Sequence, residues 1–328
     1  MQTTADIADM GLAEGSDALL KRLEWTVIRR LDGLLQGDYR TLWRGAGLDL
    51  ADLREYQHHD DVRHIDWNVT ARLQQPYVRQ YTEDRELSAW FLIDLSASVD
   101  FGSDRLTKRA VARSFVGVLS RLLTRHGNRV GAVIYGSSVD TVLPARGGRT
   151  QVLELLQRLA QRPATTAPGA TDLGELLAAG LRVARRRSTL FVVSDFISRP
   201  GWDVALGRLA QRHDVTAVRL YDPLEMELPD LGLVTMQDAE TGEQLLVDTQ
   251  DAAFRKRYRA AAERRESALL AGLARAGVDT LELATNDDMF DAVLRFTELR
   301  RALASSLQRK QRGRDAARLN ITRSATAT

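Results

Sequence analysis

Five oxygen-bearing side chains of this sequence follow apolar runs or precede a predicted helix, and together they could bind a metal. They are Asp94, Ser96, Ser98, Thr171 and Asp195. Carboxylate and hydroxyl oxygens without histidine or sulfur form a hard ligand set, which suits Mg²⁺ and, less stringently, Mn²⁺ or Ca²⁺. Because Mg²⁺ needs a near-octahedral oxygen shell, we expect water to fill part of it. One position could then stay open for an acidic group of a partner.

Each of these residues alone also has a purely structural explanation. Serine and threonine before helices are commonly N-caps, and Thr171 by itself fits that role. Asp94 or Asp195 by itself could face a helix N-terminus. The metal interpretation depends on three loops that occur in order, each after or before the expected element.

The elements that would position these side chains form a regular alternation that begins at Ser88. Short apolar runs are typical of strands buried on both faces, and the segments between them have helical periodicity. Strands are predicted at 89–93, 130–135, 139–143, 189–194, 215–220 and 278–283, with a hairpin at 231–248. Helices are predicted at 105–125, 149–161, 171–186, 202–212, 251–276 and 287–304.

This alternation predicts an α/β fold with a doubly wound, mostly parallel, Rossmann-like sheet that helices cover on both sides. In such sheets ligands bind outside the carboxyl ends of the strands, near the topological switch point. Asp94 and Asp195 each end a predicted strand. We therefore expect both carboxylates at that edge of the sheet.

The chain before Ser88 has a different character. Residues 19–36 have the spacing of an amphipathic helix, whereas residues 42–86 are charged and aromatic without a clean period and predict an irregular layer. The expected organisation has four parts. They are a flexible N-terminus (1–18), an N-terminal helix and charged segment packed on the main domain (19–86), the main α/β domain (87–304) and a basic disordered tail (305–328).

Composition excludes several classes of protein. There are no cysteines, so disulfides, thiolate zinc sites and cysteine nucleophiles are excluded. The first residues lack a charged start followed by an apolar core, so we expect no secretory signal there. No stretch approaches the roughly 18 apolar residues of a membrane span. We expect a cytoplasmic protein. The formal net charge is only +2, and a basic tail alone is weak support for a nucleic-acid partner.

The five oxygen-bearing residues resemble the metal-ion-dependent adhesion site of von Willebrand factor A-like domains. That pattern is Asp-x-Ser-x-Ser, then Thr, then Asp, and all its positions are filled here by residues 94–98, 171 and 195. The resemblance covers residues 87–304. It implies a Rossmann-like domain whose bound metal helps to grip an acidic side chain of a partner protein.

The segment before the main domain carries a distinctive set of charged and aromatic residues: Arg54, Glu55, Tyr56, Asp60, Asp61, Arg63, Asp66, Trp67, Arg79 and Tyr81. This set resembles the signature of the bacterial family catalogued as domain of unknown function 58. His59 departs from the usual small residue before the acidic pair. The resemblance implies partnership with a MoxR-type AAA+ ATPase and a client protein of unknown identity, in chaperone-like assembly or activation.

The same charged segment allows a second interpretation, because His58, His59 and His64 lie close in sequence to several aspartates. They could form a metal site or a general base. No histidine pair has helical i, i+4 spacing, however, and the many arginines favour a salt-bridged structural layer. Trp67, Tyr77, Tyr81 and Trp90 are then predicted to be packing anchors.

The function predicted from these residues is a non-enzymatic, metal-dependent protein-binding module. The alternatives are a metal-dependent phosphatase or hydrolase and a nucleic-acid-associated scaffold. A phosphatase of the haloacid dehalogenase type would have a second acid where Ser96 stands, and a lysine before the later acid, for which we find no suitable residue. The phosphate-binding loop of ATPases and the nucleophile elbow of lipases are absent from the sequence.

Overall fold

The computed structural model describes residues 15–28, 31, 52–57, 65, 67–80, 88–103, 106–163, 170–238 and 241–298. Residues 1–14 of the expected flexible N-terminus and the whole expected basic tail lie outside these ranges. No helix in the described part of the chain is both long and apolar enough to span a bilayer.

The bounds of the elements follow the predicted alternation. The strands are β1 (Asp52–Glu55), β2 (Tyr77–Gln80), β3 (Ser88–Asp94), β4 (Arg129–Tyr135), β5 (Val139–Arg146), β6 (Thr189–Ser194), β7 (Asp214–Tyr221), β8 (Leu233–Gln237), β9 (Gln244–Asp248) and β10 (Asp279–Ala284). The helices are α1 (Ser16–Leu23), α2 (Trp67–Leu73), α3 (Lys108–Arg125), α4 (Gly148–Gln161), α5 (Leu173–Val183), α6 (Trp202–Arg212), α7 (Pro223–Met226), α8 (Ala252–Ala276) and α9 (289–298). A π-helical turn, Glu24–Ile28, extends α1.

The central sheet has six strands in the order β10–β7–β6–β3–β4–β5. Neighbouring strands are parallel except for the pair β4–β5, which is an antiparallel hairpin at one edge. Counted along the chain from β3, this is the 3-2-1-4-5-6 order of the Rossmann fold, read from the other edge. The predicted doubly wound, mostly parallel sheet is confirmed.

Helices cover both faces because side chains alternate along each buried strand. In β3, Phe91 and Ile93 point into a core shared with α1, α3, α4 and α9. Trp90 and Leu92 point into a second core shared with α5, α6 and α8. The chain therefore leaves β3 on one face and β6 on the other. The carboxyl ends of these adjacent strands form the switch point of the sheet.

Capping residues explain where two helices differ from prediction. We predicted that the helix after β3 begins at residue 105, but α3 begins at Lys108 because the Thr107 hydroxyl accepts a hydrogen bond from the Ala110 N–H (3.2 Å). The helix predicted at 171–186 begins at Leu173, because Asp172 is its N-cap. Side chains that compete for backbone donors set such boundaries, and apolar periodicity does not reveal them.

The N-terminal helix packs on the main domain through a close approach at Gly117 of α3. A Cβ atom at this glycine would lie 3.1 Å from Leu23 Cδ1 and 3.2 Å from Leu156 Cδ2. Helix α1 begins at Ser16, three residues before the predicted start at residue 19. Its apolar face joins the same core as α3 and α4.

The charged segment is more regular than expected where it is described. Strands β1 and β2 pair antiparallel, and the short helix α2 lies between them in sequence. Trp67, at the start of α2, is 70% exposed, so the prediction that it is a packing anchor was wrong. Trp90 is buried against Gly131, where an added Cβ would lie 2.7 Å from the indole ring, and its anchoring role is confirmed.

Candidate metal centre

The predicted site residues lie at the switch point and are all buried. None of Asp94, Ser96, Ser98, Thr171 and Asp195 is more than 6% exposed. Parallel strands β3 and β6 are direct neighbours, so Asp94 at the end of the first lies beside Asp195 just after the second. The expected meeting of these two carboxylates at one sheet edge follows from the strand order.

The loop after β3 places two hydroxyls side by side. The Ser96 N–H donates to Asp94 Oδ1 (2.9 Å), and the Ser96 and Ser98 Oγ atoms are 3.3 Å apart. Ser96 stands at the N-cap of a 3-10 turn, yet within the described structure its hydroxyl makes no capping hydrogen bond. Two cis ligands of an octahedral Mg²⁺ with bonds of about 2.0–2.1 Å lie roughly 3.0 Å apart. The hydroxyl pair is therefore close to the spacing that a metal would need.

Ser194 connects the two carboxylate loops, and sequence reasoning did not select it as a site residue. Its hydroxyl donates to Asp94 Oδ2 (2.7 Å) and accepts from the Phe196 N–H (2.8 Å). Phe196 has φ of 59°, in the left-handed region that a bulky residue rarely adopts. The turn also lets the Ile197 N–H donate to Asp195 Oδ1 (3.0 Å). Backbone strain of this kind persists where surrounding contacts determine the conformation, often at functional sites.

Thr171 is not the N-cap of α5, because the Asp172 carboxylate accepts the hydrogen bond from the Gly174 N–H (2.9 Å). The Thr171 carbonyl accepts instead from the Arg199 N–H (2.9 Å) and the Ser198 hydroxyl (3.0 Å). This loop is thereby tied to the loop that follows Asp195. The simplest structural explanation of Thr171 does not hold, while its buried position beside the other loops does.

The two acids of the site impose an electrostatic cost on each other. Burial first, and then the nearby charge of Asp195, raise the pKa of Asp94 to about 6, although hydrogen bonds from Ser194 and Ser96 lower it. A carboxyl whose ionised form is disfavoured in this way is typical of sites completed by a cation or used in chemistry.

A buried lysine, Lys108, also belongs to this site. Its side chain is fully buried, and its ammonium donates to Asp195 Oδ2 (2.8 Å) and Glu225 Oε1 (2.6 Å). Burial by itself disfavours the ammonium, but the charges of Asp195 and Glu225 outweigh it and raise the pKa of Lys108. Our expectation that no suitable lysine accompanies the later acid was wrong.

One sequence signal could have identified Lys108. It is the first residue of α3, and a cation is unfavourable at the positive end of a helix dipole unless anions face it. A lysine directly after a threonine N-cap therefore predicts nearby carboxylates. Their identity could not be predicted, because Asp195 and Glu225 follow 87 and 117 residues later.

The donors present fit a hard divalent cation. Among the described residues, no three His, Cys, Asp or Glu side chains converge so as to hold a metal. A cation here would therefore need the hydroxyls of Ser96, Ser98 and Thr171, with Asp94 and Asp195 as the balancing charges. Mg²⁺ tolerates such a set because it commonly retains several water ligands.

Comparison with known proteins identifies the family. The profile described as "Protein of unknown function DUF58" matches residues 52–268. The chain belongs to the DUF58 family. The uncharacterized protein Rv1480 of Mycobacterium tuberculosis is 38% identical over 296 residues, which span 90% of this chain and 92% of that protein. The uncharacterized protein MAV169 of Mycobacterium avium is 35% identical over 161 residues, or 49% of this chain and 95% of that protein.

Two solved structures show a distant likeness to this DUF58 chain. BatB from Bacteroides thetaiotaomicron is 14% identical with a TM-score of 0.39, covering 69% of this chain and 99% of that one. The SpRpn10 VWA domain is 15% identical with a TM-score of 0.38, covering 63% and 94%.

The residues of the predicted DUF58 signature are described only in part. Arg54 and Arg79 lie on the paired strands β1 and β2. Glu55 is exposed, Tyr56 half-buried and Trp67 exposed. The remaining signature residues, and the cluster of histidines and aspartates, lie outside the described part of the chain. They are His58, His59, Asp60, Asp61, Arg63, His64, Asp66 and Tyr81.

A cavity of about 410 Å³ adjoins the site between α6, α7 and α8. Asp195 and Glu225 are among its lining residues, as are the apolar side chains of Phe196, Trp202 and Leu269. Glu225 is the more accessible partner of Lys108, since its side chain remains 24% exposed. The cavity therefore gives the buried ion cluster a boundary with solvent.

Proposed function

We propose that this DUF58 chain is a non-enzymatic protein-binding module that grips an acidic side chain of a partner through a bound divalent cation, Mg²⁺ in the first instance. Ser96, Ser98 and Thr171 supply hydroxyl ligands. Asp94 and Asp195 balance the charge through water. The carboxylate of the partner completes the shell, as in the adhesion sites that the five residues resemble.

One observation carries this proposal: two hydroxyls and two carboxylates from distant parts of the chain are brought together, buried, at the switch point. Both oxygens of Asp94 accept protein hydrogen bonds, from the Ser96 N–H and the Ser194 hydroxyl. This arrangement favours a role for Asp94 as an indirect, charge-balancing group. The raised pKa of Asp94 shows that its ionised form is under-compensated, which a divalent cation would correct.

The partner that we propose is a MoxR-type AAA+ ATPase, acting with this chain on a client protein. Support comes from membership of the DUF58 family and from the resemblance of the charged segment to its signature. A metal-dependent grip on an acidic side chain would give such an assembly a contact that forms only when the metal is present.

Calorimetric titration of the chelator-stripped protein with Mg²⁺ and Mn²⁺ tests the metal. We expect saturable binding by the wild type, weakened by about tenfold or more in Ser98→Ala. Ser120→Ala is the matched control, because Ser120 is also buried but its hydroxyl donates to the helix carbonyl of Gly117 (3.3 Å). Equal binding by all three proteins would place any metal elsewhere, and no binding by the wild type would refute the site.

A pull-down tests the partner. The purified chain is immobilised and offered the MoxR-type ATPase of the same organism, in Mg²⁺ and in chelator. We expect capture in Mg²⁺ that chelator abolishes and that Ser98→Ala weakens, while Ser120→Ala leaves it unchanged. Capture that ignores both the metal and Ser98 would show that another surface binds the ATPase.

A metal-dependent phosphatase or hydrolase is the second candidate, and Lys108 is the observation that favours it. Phosphatases of the haloacid dehalogenase type also place a lysine with their acids. A nucleophilic Asp94 would have to reach the substrate, however, and it is fully buried with both oxygens hydrogen-bonded. We expect no hydrolysis of p-nitrophenyl phosphate in Mg²⁺ above the buffer rate. Turnover that disappears in Asp94→Asn would replace the binding proposal.

A further inference from the structure

The two carboxylates of the site differ in what neutralises them. Within the described part of the chain, the donors that bond Asp94 are neutral, among them the Ser96 N–H and the Ser194 hydroxyl. Asp195 accepts one neutral bond, from the Ile197 N–H, and one from the Lys108 ammonium (2.8 Å). The site thus already contains a cation, attached to the chain and directed at one of the two proposed metal-balancing acids.

We infer that Lys108 sets the metal affinity of this site: its ammonium holds Asp195 as a counter-ion, so a divalent cation must share Asp195 with Lys108. The inference rests on the proposed function and adds a residue that determines affinity. A divalent ion placed among the hydroxyls is repelled by the ammonium and attracted by a carboxylate that Lys108 has partly neutralised. The site therefore binds the metal more weakly than its two acids alone would.

The geometry argues against a purely structural role for Lys108. A lysine side chain is almost never fully buried unless it is paired, and removing an ammonium from water is strongly unfavourable. An apolar residue of similar volume commonly stabilises such a position as well or better. The charge lies at the positive end of α3, where the helix dipole opposes it. Only the pairing with Asp195 and Glu225 makes this position tolerable for a cation, so a charge requirement of the site explains why a lysine stands there.

Glu225 completes the arrangement from another layer of the fold. It lies in α7, and its carboxylate takes the second hydrogen bond of Lys108 (2.6 Å). Helix α7 is attached to α8 through the Tyr258 hydroxyl, which donates to the Leu224 carbonyl (2.8 Å). Glu225 therefore draws part of the ammonium charge away from Asp195. Without the Glu225 carboxylate, Lys108 should pair more tightly with Asp195, and the site should bind the metal more weakly.

The first test compares Mg²⁺ affinities of chelator-stripped wild type, Lys108→Met and Lys108→Arg by calorimetry, with folding checked by circular dichroism. We expect Lys108→Met to bind Mg²⁺ about tenfold or more tightly, because the like charge is gone. Lys108→Arg keeps the charge and should stay close to the wild type. A folded Lys108→Met that binds Mg²⁺ as the wild type does, or more weakly, overturns the inference and leaves the proposed metal site intact.

The second test decides the matter if Lys108→Met does not fold. Glu225→Gln leaves the ammonium in place, and we expect Mg²⁺ affinity to fall by about threefold to tenfold. Glu227→Gln is the control, because Glu227 lies two residues away, is exposed and pairs with Arg259. Equal effects of both substitutions would indicate general electrostatics and overturn the inference.

The two proposals can fail separately. Binding by Lys108→Met but not by the wild type would support the inference about Lys108 and overturn the proposed function, because the natural chain would then hold no metal. Absence of binding in the wild type, Lys108→Met and Lys108→Arg alike would overturn the proposed metal site and this inference with it.

Discussion

Two fully buried carboxylates, Asp222 and Asp94, lie at the same edge of the sheet, but their pKa values are shifted in opposite directions. Asp222, after β7, accepts hydrogen bonds from the Ser103 N–H (2.8 Å) and hydroxyl (2.6 Å), the Thr285 hydroxyl (2.7 Å) and the Leu224 N–H (2.9 Å). Burial alone would raise the pKa of Asp222, but these hydrogen bonds outweigh it and hold the pKa below its ordinary value.

Asp94, after β3, has fewer donors and a carboxylate for a neighbour. Burial and the charge of Asp195 together raise the pKa of Asp94 to about 6. The comparison shows that burial alone does not mark a functional acid. An acid that the protein satisfies completely is a structural tie, whereas one left under-compensated beside a second acid has capacity for an external cation.

The same substitution at both positions tests whether the two acids have different roles, and Asp222→Asn should have the larger effect. The amide group would face donors where the carboxylate accepted hydrogen bonds from Ser103 and Thr285. We expect a loss of about 2–4 kcal/mol in the free energy of unfolding, because buried donors would be left unpaired. Urea denaturation measures it. A loss below about 1 kcal/mol would mean that Asp222 is not the tie we describe.

Asp94→Asn should act in the opposite direction in chelator-treated protein at pH 7. The amide removes a disfavoured charge and its repulsion with Asp195, so we expect a gain of about 1–3 kcal/mol in the free energy of unfolding. Mg²⁺ should raise the melting temperature of the wild type but not that of Asp94→Asn. A variant as unstable as Asp222→Asn would show that both acids are structural.

The pH dependence of stability should separate the two acids. The pKa of Asp94 in the folded protein, about 6, lies above its unfolded value. As the pH rises from 4 to 6, the free energy of unfolding of the metal-free protein should therefore fall by at most about 3 kcal/mol on account of Asp94. Above pH 6 the Asp94 contribution should stay constant. The pKa of Asp222 is lowered, so its contribution is complete above pH 4 and is lost only as the pH falls further. Denaturation curves of the wild type minus those of Asp94→Asn isolate the first effect, and a flat difference across that range would contradict it.

The smallest effects concern the serine beside each acid. Ser103→Ala removes a hydroxyl that donates to Asp222 (2.6 Å), and we expect a loss of about 1–2 kcal/mol without any change in Mg²⁺ affinity. Ser98→Ala should change the free energy of unfolding of the metal-free protein by less than about 0.5 kcal/mol but should weaken Mg²⁺ binding. Paired denaturation and calorimetric measurements would show whether the two serines really divide stability and binding between them.

Much of the site could be predicted because its loops are local features. Asp94 with Ser96 and Ser98, and Asp195 after its apolar run, were recognised from residue type and strand period alone. Asp172, and not Thr171, caps α5, which removes the capping explanation of Thr171. Their use of a metal stays a prediction. Trp67 was assigned wrongly because an aromatic side chain gives no signal of which surface it faces.

Lys108, Ser194, Glu225 and Asp222 were not selected, for a common reason. Each acts through a partner far away in sequence: Lys108 and Asp195 are 87 residues apart, Ser194 and Asp94 are 100 apart. Asp222 and Ser103 are 119 residues apart. No periodicity links such pairs, so a charged or polar residue at a helix start or strand end remains ambiguous until the strand order is known.

The sequence by itself determined the α/β alternation, the DUF58 signature and the loops that carry the candidate ligands. These depend on periods of about 2 and 3.6 residues and on side-chain types, which act locally. The tertiary structure alone decided which strand ends are neighbours. It therefore decided that Asp94 lies near Asp195 and that Lys108 pairs with both Asp195 and Glu225. Those contacts depend on the order of strands in the sheet, because interactions through space depend on distance and burial and not on position along the chain. The electrostatic interactions that shift the pKa of Asp94 are an example.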